Sequence, residues 1–240
     1  MKRQAVTSIV IFLACAGVVA LGLATGPRER PSAASVSPPH KWNYAPGSWV
    51  LVHEVYRQGA HQGESDDRYE LTDRTPEAVT LRIESVGPKK QSLTRIVGLK
   101  DELDAVEGAT RVGKESIVVD GRTFACVIFK RPSGSGEVRF WLAPGLPWPV
   151  RTIDNDGSEV REVVLTRVTD SVTFGAGRLD CAVFSETRSA GGQALHRATS
   201  WRNLAVPGHE VRREEQFEVS GEPVSITRLV AAYAVKVAPR

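Results

Sequence analysis

The chain has 240 residues, 41% of them hydrophobic and 25% charged, and its 31 basic and 28 acidic residues leave a formal net charge of +3. That length holds one large β domain or two small ones, with enough apolar residues to bury a core. The two signs of charge are interspersed, so the concentrated basic face that nucleic acid binding needs is missing, and one Met against 21 Gly and 14 Pro speaks against long helices.

The first 26 residues read as an export leader. Met1-Lys2-Arg3-Gln4 is a short basic start, and Ala5 to Thr25 is uncharged and mostly apolar. As an N-terminal apolar helix that run would span roughly 31 Å at 1.5 Å per residue, enough to cross a bilayer. Two fates fit a run of this kind. A cleaved signal peptide would use Gly22-Leu23-Ala24 as the small residues near its cut, while the length of the run also suits a retained membrane anchor. Cys15, in Phe12-Leu13-Ala14-Cys15, adds lipidation as a third. All three place the body outside the cytoplasm, in the periplasm or cell envelope. Residues 27–41 (PRERPSAASVSPPHK) are rich in Pro, Ser and Ala, cannot make a packed face, and read as a linker.

The body is organised by a short string. Leu93-Thr94-Arg95 recurs as Leu165-Thr166-Arg167 and, with one change, as Ile226-Thr227-Arg228. Before the last two copies the same events run in the same order. A β-prone piece meets a Gly turn, and a strand with a central Cys follows, Cys126 or Cys181. A strand ending at Trp141 or Trp201 leads to a loop with Pro149 or Pro207, and a Val-Arg strand leads to a last turn at Asp156-Gly157 or Ser220-Gly221. Residues 42–98 form a more degenerate copy, with Gly47, Leu51 near the place of the cysteine, and Val79, Leu81 and Ile83 on one face of a strand. The expected division is therefore 42–98, 113–169 and 170–235. A short insert at 99–112 carries Leu99, Leu103 and Val106 at helical spacing. Four or five short strands per unit predict an all-β fold, antiparallel meanders in two or three imperfect copies forming a curved sheet, half-barrel or barrel.

The strings VVDGRTFACVIF with VRFWLAPGLPWPVRT, and VTFGAGRLDCAVF with ATSWRNLAVPGHEVRR, resemble exported bacterial envelope β-proteins in which a Val-Gly-aromatic-x-Cys strand precedes a Trp strand and a Pro/Gly loop. In outline this is similar to the curved half-barrels of the periplasmic lipoprotein-carrier group. The resemblance covers about Ser116 to Val230 and implies an envelope location and a concave face able to accept a lipid or peptide. The chain departs from that group by carrying the motif twice and by showing no counterpart of its capping helices.

Candidate sites are few. In an exported body Cys126 and Cys181 could form a disulfide. Equivalent positions four or five strands apart in one sheet would stand about 19–24 Å apart, however, against a limit of about 7 Å between Cα atoms. Their apolar neighbours suit small buried core residues instead. The five His lack metal-ligand spacing, and the stretch Asp154 to Glu159 reads as a hairpin turn centred on Asp156-Gly157, so no metal or other cofactor is implied. Neither a G-x-S-x-G string nor a phosphate-cradling Gly loop occurs.

Arg95, Arg167 and Arg228 each follow an apolar residue at period two. If the copies curve around one concavity, these arginines could ring its mouth and hold a carboxylate or phosphate; otherwise each pairs with a nearby Glu or meets water. Trp148, between two prolines, could mark a contact site, and Trp141 and Trp201 should cap the core with their indole N–H groups on loop carbonyls. The reading is an exported, non-catalytic envelope domain binding a partner or an apolar ligand. A lipid or lipoprotein carrier, or an unrecognised enzyme, are the alternatives. The partners would be an apolar ligand, a lipid or an envelope protein, with the membrane joined through the N-terminal segment if that is retained. A carrier requires a deep apolar groove, an interaction domain a free edge or patch, and an enzyme a polar pocket with displaced pKa values.

Overall fold

A computed structural model of the chain describes residues 44–87, 91–98, 108–175 and 177–236. The leader, the linker and residues 99–107 of the proposed helical insert lie outside the described residues; Thr110 to Val112 of that insert open a strand. In chain order the strands are β1 (Trp49–Gln58), β2 (His61–Arg74), β3 (Ala78–Ser85), β4 (Ser92–Gly98), β5 (Thr110–Val119), β6 (Arg122–Ser133) and β7 (Gly136–Leu142). They continue as β8 (Arg151–Asn155), β9 (Val160–Phe174), β10 (Gly177–Ala190), β11 (Gln193–Arg202), β12 (Glu210–Val219) and β13 (Glu222–Ala234).

All 13 strands belong to one antiparallel sheet, curved and unclosed, in the order β4-β3-β2-β1-β13-β12-β11-β10-β9-β8-β7-β6-β5. The chain meanders strand by strand from β5 to β13. β1 docks beside β13, and β2 to β4 continue outward, leaving β4 and β5 as the two edges among the described residues. Local chemistry sets the turns. Asp120-Gly121 and Ser220-Gly221 both lie at positive φ (53° and 74°, 54° and 81°), the two-residue turn whose twist suits a tight hairpin. Along β3, Val79 (1% exposed) and Leu81 (3%) point to the core, as the period-two reading expects.

The repeated strings fall on β4, β9 and β13. β13 stands four places from β4 (through β3, β2 and β1), and β9 four from β13 (through β12, β11 and β10). The boundary drawn between 169 and 170 falls inside β9, one continuous strand that ends one meander and begins the next. Residues 44–48, around Gly47 of the first unit, are irregular, and β13 occupies the place beside β1.

Two rows of side chains correspond strand for strand. In one, Glu115 faces Cys126 across β5 and β6, Ile128 faces Trp141, and Trp141 faces Arg151. In the other, Asp170 faces Cys181, Val183 faces Trp201, and Trp201 faces Arg212. In both, the indole Nε1–H donates to the carboxylate two strands away, at 2.6 Å to Glu115 and 3.0 Å to Asp170, and the arginine guanidinium covers the indole at 5.0 and 4.7 Å. The tryptophans thus cap the core, but through carboxylates and not the loop carbonyls expected, because strand neighbours lie nearer than the loops.

Among the described residues the core has three clusters. One joins Val119 and Cys126 at the far end of the β5–β6 hairpin to Ala143 and Val150 of the β7–β8 connection and to Val163, Leu165, Ala182 and Phe184. The second joins Val172 and Cys181 at the far end of β9–β10 to Val206, Val211, Val230 and Val50. That hairpin end projects past β11, which pairs with β10 only from Ala182 onward, and sets Phe174 against Tyr233 at 5.9 Å. Leu71, Val79 and Leu81 form the third. Burying each large apolar side chain contributes about 1.5–3 kcal/mol.

Candidate functional site

A cavity of about 180 Å³ opens where the β7–β8 connection crosses β9 and β10, lined by Leu146, Pro147, Trp148, Leu165, Val168, Ala182 and Phe184. Every lining side chain is apolar. Its shape comes from broken register. The pairing of β10 with β9 slips between Cys181 and Val183 and again between Val183 and Phe184. Bulges of this kind bend a strand and re-aim its side chains. Here they bring Leu165 and Val168, three residues apart, onto one wall, which strict alternation forbids. Trp148 stands edge-on to Phe184 at 6.0 Å and to His209 at 6.4 Å, and His209 in turn meets Tyr44 at 6.1 Å. On the Phe184 ring the Arg202 guanidinium rests at 4.5 Å. The wall is thus preformed, with aromatic rings braced from several sides.

A belt of charge crosses the sheet close to this cavity. Glu186, 2% exposed, accepts hydrogen bonds from Arg161 at 2.7 and 3.0 Å and from Arg213 at 3.0 Å, with Arg188 at 3.2 Å. Arg213 also meets Glu215 at 3.1 Å and Glu210 at 3.5 Å. His196 Nε2 lies 2.8 Å from Glu215, and Arg228 bridges Glu215 to Glu54, the latter at 2.6 Å. Register explains the alignment: Glu54 faces Arg228, Arg228 faces Arg213, and Glu186 and Glu215 both face Ala198.

Burial alone would push Glu186 up, but the guanidiniums of Arg161, Arg213 and Arg188 outweigh it and hold the carboxyl well below its ordinary value. Burial likewise raises Glu215, and the His196 hydrogen bond with the Arg213 and Arg228 charges brings it down to about 2. Both carboxyls are lowered in the folded state, so their stabilisation is present above the ordinary value of 4.5 and is lost as pH falls from there towards 2. For Glu215 the shift corresponds to about 3 kcal/mol. Urea midpoints should therefore fall steeply between pH 4.5 and 2.5; an unchanged midpoint across that interval would contradict the belt.

The residues singled out from the sequence are dispersed. Trp148 is on the cavity wall, half-buried. Arg228 is a member of the belt, Arg167 is exposed and reaches Asp170 at 3.2 Å, and Arg95 is exposed on the edge strand β4. They do not meet at one mouth, because four-strand spacing separates them and the slip in β9 sends Arg167 away from Leu165. Cys126 and Cys181 are free, buried thiols in separate clusters on β6 and β10, with no disulfide between them. Burial and then Glu115 raise the Cys126 thiol; burial and then Asp180 and Asp170 push Cys181 up to about 11, so neither is primed as a nucleophile. The sequence marks Phe184 only as an apolar core neighbour of Cys181, and it does not single out Ala182 or Glu186. Only the alternation of Phe184 with Glu186 hinted that a charge lay in an apolar row.

No family model matches the chain, and no curated protein matches it. Solved structures similar over most of their length include a LolA superfamily protein from Nitrosomonas europaea (TM-score 0.37, 12% identity, covering 85% of this chain and 94% of that one). Others are a domain described as outer-membrane lipoprotein-sorting from Vibrio parahaemolyticus (0.37, 7%, 80% and 86%) and the hypothetical lipoprotein YmcC from Escherichia coli (0.30, 10%, 86% and 92%). Likenesses at this level carry neither a fold nor a function over to this chain.

Proposed function

We propose that this is a non-catalytic binding domain of the cell envelope, exported by its N-terminal segment, that seats one apolar group of a ligand or partner against Trp148. The observation that carries the reading is the preformed, wholly apolar cavity walled by Trp148 and Phe184. Its volume of about 180 Å³ supports one alternative over the other. Sites for whole ligands run to about 300–1,000 Å³. An apolar cavity of about 150 Å³ is enough to hold benzene. A ring or the branched end of a chain fits; an entire lipid does not, which favours partner binding over carriage.

Bromobenzene, a fluorescence quencher of the right size, tests this. It should quench a component of the tryptophan emission that is missing in Trp148→Phe and greatly reduced in Ala182→Leu, whose added carbons occupy the space. Equal quenching in all three proteins would remove the cavity as a binding site. A whole lipid retained in native mass spectrometry would overturn the reading in favour of a carrier.

A further inference from the structure

We infer that β4 is a pairing edge for a second copy of this chain, related by a two-fold axis through Thr94. The two edges of the sheet differ in chemistry. β5 carries Arg111, Lys114 and Glu115 and a register break between Arg111 and Gly113, the charged and bulged features that keep an edge from pairing. β4 carries one charge, Arg95, and exposes Leu93 (55%) and Ile96 (73%), with no partner strand beyond it among the described residues.

The backbone shows which groups face outward. Ser85 N–H donates to the Gln91 carbonyl at 2.9 Å, so residues 91, 93, 95 and 97 direct their amides and carbonyls towards β3. Ser92, Thr94 and Ile96 therefore present theirs at the free edge. A two-fold normal to the sheet pairs residues of equal parity, since directly opposite residues share a face. Centred on Thr94, it sets Thr94 against Thr94, Ser92 against Ile96 and Leu93 against Arg95, and forms six backbone hydrogen bonds over the 7-residue strand. Centred one residue further, it would set Arg95 against Arg95, a like-charge contact. The Thr94 axis avoids that and puts the guanidinium stem over a leucine. Such a pair is closed, whereas β4 on β5 of another copy would propagate as an open chain, and the charged, bulged β5 edge opposes it. A contact of this length falls among the small, weak interfaces.

The inference is independent of the cavity and is tested separately. In the full chain, Thr94→Cys should form a disulfide-linked dimer under mild oxidation, because paired Cα atoms lie about 5.5 Å apart. Ile96→Cys should stay at the background of the unsubstituted chain, because its two copies would be four residues, or about 14 Å, out of step. Sedimentation of the unsubstituted chain should show a mass rising towards the dimer with concentration, and Ile96→Lys should abolish the rise. A Thr94→Cys yield no greater than that of Ile96→Cys overturns the register, and a monomer at every concentration overturns the pairing itself.

Discussion

Replacing Glu186 by Gln is expected to cost the fold about 3–5 kcal/mol, the usual loss when one partner of a buried ion pair is removed. The isosteric change keeps the packing but leaves Arg161, Arg188 and Arg213 around a neutral group, and Arg213 is 9% exposed with little recourse to water. Against a typical total of about 5–15 kcal/mol this is a large fraction. The exposed pair Arg139–Glu137 provides the contrast: there Arg139→Ala should leave the urea midpoint nearly unchanged. A double change, Glu186→Gln with Arg161→Gln, should recover part of the loss, since the second step removes a stranded charge. Urea unfolding of the three variants beside the parent checks this; a Glu186→Gln midpoint like that of the parent would mean that the belt is dispensable.

The second large effect is at Phe184. Its ring, 2% exposed, is contacted by Trp148 and covered by Arg202, and Phe184→Ala should destabilise by about 3–5 kcal/mol through lost burial and the void left behind. The void joins the existing cavity, so the variant should take up a two-ring probe such as naphthalene that the parent excludes. Calorimetric titration at a temperature where the variant is folded separates the two consequences. Destabilisation without a change in accepted probe size would show that the wall collapses, and would detach Phe184 from the binding site.

Much of the architecture was legible because it rests on local chemistry. Period-two alternation at Val79 and Leu81 and the turn pairs at Asp120-Gly121 and Ser220-Gly221 act within a few residues, and they appear where the sequence places them. The shared order of Cys, Trp and Arg pointed to rows that the strand register then aligns. The candidate site was less legible. Trp148 drew notice through its flanking prolines, but its partners Leu165, Val168 and Phe184 lie on two other strands and converge only through slips in register. Beside the slip, the β9–β10 hairpin end packs on β13 and β1, and no short window of sequence contains both sides of that contact.

The three arginines make the same point from the other direction. Alternation assigned each to a place after an apolar residue, yet their fates diverge: Arg228 in a belt with Glu54 and Glu215, Arg167 on Asp170, Arg95 on an edge. Composition and spacing were enough to specify an all-β chain of antiparallel meanders, since strand period and turn chemistry are properties of neighbouring residues. The tertiary fold alone decided that β1 closes against β13, that Glu186 is buried among arginines, and that an apolar cavity forms at Trp148. Those outcomes depend on contacts between residues far apart in the chain, whose charges and volumes acquire meaning only when the sheet brings them together.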